Sequence, residues 1–228
     1  MILEVLGVGG GNTPELGSSS FLIWDDDMNE AVLMDCGYMT YPRLKELENR
    51  VYPRREIIKK IKSVAISHLH NDHAGSLGAL LAHCCYLTKQ TILLTGVKTL
   101  QDYLNLIEGQ ALKCIAGEDS RIKVISISHG DIAACAFYFN GVLYSGDTDK
   151  PLLNLPEAKE AKIIIHEARL NSLPLHTNIE DLAVNTPKSI LQKTWIIHYA
   201  PNMTEQIVIK AKELGFAGVL FQGQVLKF

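Results

Sequence analysis

Short apolar runs, each stopped by glycine, asparagine, aspartate or histidine, recur along the chain and predict strands between shorter helical stretches. Residues 2–8 read as a buried strand running into Gly7-Val8-Gly9-Gly10-Gly11. Ser19 to Trp24 and Ala31 to Met34 read as a strand pair joined at a solvated tip, Asp25-Asp26-Asp27. Residues 42–62 carry a helical pattern in two pieces broken at Pro53, with Arg54, Arg55, Lys59, Lys60 and Lys62 on its solvated side. Val64 to Ile66 is apolar and leads into a helical stretch at 74–85. Thr91 to Thr95 predicts a strand, Lys98 to Ile107 a helix, and Lys123 to Ser128 a strand. A hairpin over 134–145 turns at Asn140-Gly141, a pair that favours the left-handed backbone of a two-residue turn. A helix over 156–161, a strand over 162–165, a helix near 179–184 and a strand over 194–197 follow. A helix over 204–214 and two closing strands, 218–220 and 224–227, complete the pattern.

The chemistry sits where these runs stop. Ser67-His68-Leu69-His70-Asn71-Asp72-His73 places four potential metal ligands within six residues, directly after an apolar strand. In an extended segment His68 and His70 project to one side, and a turn can carry Asp72 and His73 to a second position close by. Imidazole with carboxylate suits zinc, manganese or iron. His129, Asp147, His166 and His198 also stand at or just past strand ends, and of the eight histidines His83 alone falls outside such positions and the segments after them. Loops held above a rigid sheet commonly carry active-site groups. The glycines at 7–11 do not have dinucleotide-fingerprint spacing. They serve either a close approach of the backbone to another group or a plain turn.

Composition narrows the picture further. At 228 residues, 47% hydrophobic and 21% charged, the chain suits one ordinary globular domain over 1–228. A net charge of −3 argues against a broad basic face for long nucleic acid. No 18-residue apolar run predicts a membrane span, and the N-terminus lacks the features of a signal peptide. Five cysteines without framework spacing fit a reducing, cytoplasmic setting, with Cys84-Cys85 as core filler.

In order along the chain, the Gly-rich turn, Asp35-Cys36-Gly37, the His68–His73 loop, His129, Gly146-Asp147 and His198 resemble the signature of the metallo-β-lactamase superfamily. That resemblance implies a four-layer αββα sandwich: two mixed β-sheets face to face, flanked by helices, with a dinuclear metal site at one edge. Carried over residue by residue, one cation would take His68, His70 and His129, the other Asp72, His73 and His198, and Asp147 would bridge them. Zn2+ is the expected metal, with Mn2+ or iron as alternatives. Asp147 stands where true β-lactamases usually carry cysteine, which points away from antibiotic hydrolysis.

His166-Glu167-Ala168 is similar to the His-Glu-Ala-Thr of the ribonuclease Z-like phosphodiesterase branch, with Arg169 in place of threonine. Leu175-His176-Thr177 resembles that branch's His-Ser-Thr. The resemblance implies a catalytic set of Asp72, His176 and Glu167, with His176 facing the scissile phosphate and Glu167 orienting it. His129 and Asp147 are only 18 positions apart, leaving no room there for the arm with which relatives hold transfer RNA. The arm-less pattern is similar to that of anti-Pycsar cyclic-nucleotide phosphodiesterases. The expected substrate is therefore a small phosphodiester, above all a cyclic nucleotide. The alternatives are an RNA 3′-end endonuclease, an acyl ester or thioester hydrolase, and a non-hydrolytic nucleotide binder. The resemblance also implies a homodimer, with the 98–120 segment as a candidate to close the partner's pocket.

Overall fold

A computed structural model describes residues 1–11, 13–50, 56–107 and 111–228. Pro53, the basic pair Arg54-Arg55 and Gly109-Gln110 of the candidate closing segment lie outside the described residues.

Two six-stranded sheets form the centre. The first contains β1 (Ile2–Gly7), β2 (Ser20–Trp24), β3 (Ala31–Met34), β4 (Ile61–Ile66), β5 (Leu93–Gly96) and, at its far edge, the closing strand β12 (Val225–Lys227). The second contains β6 (Lys123–Ile127), β7 (Ala134–Phe139), β8 (Val142–Tyr144), β9 (Ile163–Glu167), β10 (Thr194–Ile197) and β11 (Gly218–Val219). Both are mixed: β1–β2–β3 and β6–β7–β8 pair antiparallel, while β3–β4–β5 and β8–β9–β10–β11 run parallel. The flanking helices are α1 (Thr40–Arg50), α2 (Ile57–Lys60), α3 (Asn71–Ala74), α4 (Leu77–Ala82) and α5 (Leu100–Ile107) in the first half, and α6 (Pro156–Glu160), α7 (Ile179–Ala183), α8 (Lys188–Leu191) and α9 (Thr204–Leu214) in the second. This is the expected four-layer sandwich.

The pairing directions decide where the chemistry lies. Within the first sheet, β1, β3 and β4 all run the same way, so their C-terminal ends share an edge. Within the second, β6, β8, β9 and β10 likewise end together. The loops after these strands hold the glycine run, Asp35, the His68–His73 stretch, His129, Asp147 and His198. Hydrogen bonds tie the two edges together: Cys135 N–H donates to Ser67 O at 2.9 Å and His198 N–H to Val8 O at 2.8 Å.

The core between the sheets is built from strand side chains that are almost wholly buried. Phe21 of β2 meets Tyr144 of β8 edge to face across the two sheets, ring centroids 5.0 Å apart at 84°. Phe21→Ala should therefore cost about 3–5 kcal/mol in denaturant unfolding.

Two expected boundaries move. The helical pattern of 42–62 ends at Lys60, and Ile61 and Lys62 belong to β4. Ile61 is buried, and pairing with Ala31 of β3 overrides the local helix signal. The helix expected over 74–85 instead starts early, as α3, breaks at Gly75-Ser76, resumes as α4 and ends in a π-helical turn, His83–Thr88. No disulfide joins the cysteines; Cys84 is buried and Cys85 partly so. No described helix is long and apolar enough to cross a membrane.

Candidate metal centre

Strand β4 delivers Ser67 and His68 at the edge of the sheet, both buried. His70 remains extended, at φ −62° and ψ 152°, and the next four residues turn into α3, which brings Asp72 and His73 round. Asp147 follows β8, His129 follows β6 and His198 follows β10. His198 sits in the left-handed region at φ +69°, a conformation that costs energy in an ordinary residue. Its backbone is held there by the bond from its N–H to Val8.

These side chains converge as two donor groups sharing one carboxylate. His68, His70, His129 and Asp147 form the first, and Asp72, His73, His198 and Asp147 the second, with the ligand atoms of each group within 4.8 Å of one another. Asp147 Oδ2 lies 3.1 Å from His198 Nε2 and 3.8 Å from His68 Nε2, while its Oδ1 lies 3.3 Å from His73 Nε2. All seven residues expected as ligands are thus brought together.

The fit to divalent cations rests on what each ring nitrogen already does. His73 Nδ1 donates to Asp35 Oδ2 at 2.7 Å, and His129 Nδ1 to Leu175 O at 2.9 Å. Ser19 Oγ donates to Gly9 O at 3.0 Å and lies 3.2 Å from His198 Nδ1, from which it can accept. In each case Nδ1 is engaged and Nε2 is left as a lone-pair donor. His73 Nε2, His129 Nε2 and Asp147 Oδ1 are buried with no hydrogen-bond partner among the described residues. Buried polar atoms left unpaired are costly, and three of them aimed at one place suit a cation. Burial opposes the charge on Asp147, yet His198 and His73 hold its carboxyl well below the usual carboxylate range. The donor set of imidazoles and carboxylates fits divalent metal ions.

A supporting layer went unassigned in the sequence. Asp35, itself at φ +57°, accepts from Ser67 N–H at 2.7 Å, Ser67 Oγ at 2.8 Å, Tyr144 OH at 2.7 Å and His73. The Asp35-Cys36-Gly37 motif signals it; nothing local signals Tyr144 or Ser19. Gly11 N–H donates to Asp72 Oδ2 at 2.6 Å, and a Cβ on Gly10 would lie 2.6 Å from His198 Cδ2. The glycine run therefore lets the backbone lie against the centre, the first of its two expected uses.

A third group adjoins the other two: Asp147, Glu167 and His176. His176 Nδ1 lies 3.2 Å from Glu167 Oε2. Glu167 Oε1 accepts from Thr148 and Thr177 N–H, each at 3.1 Å. The His176 ring lies 5.5 Å from that of His129 and 5.3 Å from that of His198, so it faces both donor groups. Burial, then the charge of Asp147, pushes the Glu167 carboxyl up to about 8, and burial pushes His176 down.

His166 stands apart. Its Nδ1 donates to Glu167 O at 2.7 Å and its Nε2 accepts from Leu152 N–H at 3.1 Å, so both nitrogens are used in the core. Burial pushes its pKa down to about 4. A histidine kept neutral in the fold stabilises fully above its unfolded pKa of about 6.5, and that contribution is lost as pH falls towards about 4. Across that window His166→Gln, which keeps an acceptor but does not titrate, should lose up to about 3 kcal/mol less stability than the parent, read by unfolding at each pH. His83 is also remote, its Nδ1 3.0 Å from Tyr41 OH.

The sequence profile of the family described as Anti-Pycsar protein Apyc1 matches residues 1–104 and 94–226. The Anti-Pycsar protein Apyc1 of Paenibacillus harenae is 25% identical over 232 residues, covering 90% of this chain and 92% of that one. Ribonuclease Z of Sulfolobus acidocaldarius is 35% identical over 100 residues, 43% of this chain, and the match spans only 31% of that relative's length. Among solved structures, the metallo-beta-lactamase fold protein YhfI from Bacillus subtilis superposes with a TM-score of 0.74 at 17% identity, over 99% of this chain and 98% of that one. The fold is that of the metallo-β-lactamases.

Proposed function

This chain belongs to the Anti-Pycsar protein Apyc1 family of metal-dependent hydrolases, and from that premise we propose that it hydrolyses a small phosphodiester, above all a cyclic nucleotide, to its ring-opened monophosphate. The observation that carries the reading is the Glu167–His176 pair set beside two metal-donor groups. A leaving alkoxide needs a proton, and a carboxyl-held imidazole beside the metal-donor groups can supply it. The His-Glu-Ala and His-Thr segments that carry the pair are those that resemble the phosphodiesterase branch.

We assign His68, His70 and His129 to one cation, Asp72, His73 and His198 to the other, and Asp147 to both. When bound, such a pair supplies Lewis acidity and makes water a stronger acid near neutral pH. Zn2+ suits the donors, with Mn2+ and iron next. His176 has Nδ1 turned to Glu167, which leaves Nε2 to pass a proton to the departing oxygen as the phosphorus–oxygen bond breaks. With its carboxyl pushed up to about 8, Glu167 can share its proton with His176 Nδ1, which keeps the transferable proton on Nε2, and the Thr148 and Thr177 amides hold that carboxyl in place. Asp72, anchored by Gly11 N–H, holds its side of the centre against the glycine run.

Incubating metal-loaded protein with a panel of cyclic mono- and dinucleotides, read by chromatography, tests the proposal. A ring-opened monophosphate is expected; turnover of acyl esters with every phosphodiester left intact would overturn it. A ribonuclease Z-like activity is favoured by the 35% identity over 100 residues and shares the Glu167–His176 pair. Against it, the interval between His129 and Asp147 is filled by the β7–β8 hairpin, and the net charge is −3. Salt-dependent binding of transfer RNA would favour that reading instead.

A further inference from the structure

Arg169 follows the end of β9, and its guanidinium lies against the glycine run beside His198. Its backbone is pinned: Arg169 N–H donates to Thr177 O and its carbonyl accepts from Ile179 N–H, both at 2.9 Å. From there the guanidinium extends to the glycine run, where a Cβ on Gly10 would lie 2.3 Å from Arg169 Nη2 and 2.7 Å from His198 Nε2. The guanidinium and a metal-donor imidazole therefore share the space that Gly10 leaves open. Arg169 Nε is buried without a hydrogen-bond partner, and the guanidinium makes no ion pair among the described residues.

A partly buried arginine with an unpaired Nε–H, no carboxylate partner among the described residues and a fixed backbone is arranged to receive an anion. We propose that Arg169 is a substrate-binding residue that grips a non-bridging phosphoryl oxygen, so that the site selects phosphodiesters over neutral esters. This rests on the phosphodiester reading above. The two donor groups would hold cations that supply Lewis acidity for the oxygens that form and break bonds with phosphorus, and the guanidinium offers its planar fork to an oxygen that does neither. A neutral acyl ester has no anionic oxygen to place there in its ground state.

The test uses inorganic phosphate as the probe, titrated by calorimetry into metal-loaded parent, Arg169→Ala and Arg169→Lys, with metal content measured for each. A charge-assisted hydrogen bond of this kind corresponds to about 10–100-fold in affinity. Arg169→Ala should weaken phosphate binding by that factor with metal content unchanged, and Arg169→Lys should fall between, since it keeps the charge and loses the fork. With a chromogenic phosphodiester, Arg169→Ala should raise KM more than it lowers kcat. Phosphate affinity within about twofold of the parent, no phosphate binding by the parent, or loss of metal from Arg169→Ala would each overturn the inference. If phosphate binding depends on Arg169 but no cyclic nucleotide is cleaved, the anion site stands and the proposed reaction falls. If cyclic nucleotides are cleaved equally by parent and Arg169→Ala, the reaction stands and this inference falls.

Discussion

Asp147→Ala should leave the protein unable to hold both metal ions and should lower phosphodiester turnover by on the order of 10³-fold or more. The expectation follows from position. Asp147 is the one residue common to all three donor groups, and its two oxygens face His68, His73 and His198 at 3.1–3.8 Å. Removing it leaves three neutral imidazoles on one side and takes the central negative charge from between the two cation positions. Asp147→Asn separates charge from shape, since it keeps the volume but halves the acceptor capacity. Elemental analysis after dialysis, paired with turnover, is the measurement. Two retained equivalents with turnover within about tenfold of the parent would show that Asp147 does not join the two halves.

The second large effect belongs to His176. His176→Ala should lower kcat for a cyclic nucleotide by about 10²–10⁴-fold, the range for loss of a general acid, with metal content unchanged. The expectation follows from distance: His176 Nδ1 is 3.2 Å from Glu167 but 3.9 Å from Asp147, and neither four-residue donor group includes it. A proton donor matters most when the leaving oxygen is a poor leaving group. The loss should therefore shrink markedly on a p-nitrophenyl phosphodiester, whose leaving group departs as a stable anion. Glu167→Gln should show the same dependence on leaving group in weaker form, because it loosens the imidazole without removing it. An equal loss on both substrates would make the pair a structural support instead.

How much of this was legible depends on whether the information was local. The Asn140-Gly141 turn was readable because both residues adopt positive φ, at 49° and 84°, which few other pairs accept. The strand ends were readable because each apolar run is short and stops at a ligand-type residue. Ile61 and Lys62 continue the helix-like run Ile57-Ile58-Lys59-Lys60, and only the neighbouring strand β3 places them in a strand. The break between α3 and α4 was hidden for a related reason: Gly75 packs against Asn71, which no helical pattern reveals. At the centre, ligand-type residues were visible by their density, but their support was not. Tyr144 and Asp35 are 109 positions apart, and only the meeting of the two sheets puts the phenol on the carboxylate. Arg169 was visible as a departure from the similar motif, yet its bearing on the glycine run came only from the fold.

Two adjoining divalent cations, held by seven side chains at the shared edge of the two sheets, are the arrangement on which the proposed chemistry depends. Metal stoichiometry on the purified, zinc-reconstituted parent chain tests it most directly, by elemental analysis against protein concentration. Two equivalents per chain are predicted, falling with His129→Ala and with His73→Ala as each donor group is broken. A chain that stays metal-free when zinc, manganese or iron is supplied, or that binds the same amount after both substitutions, would contradict it.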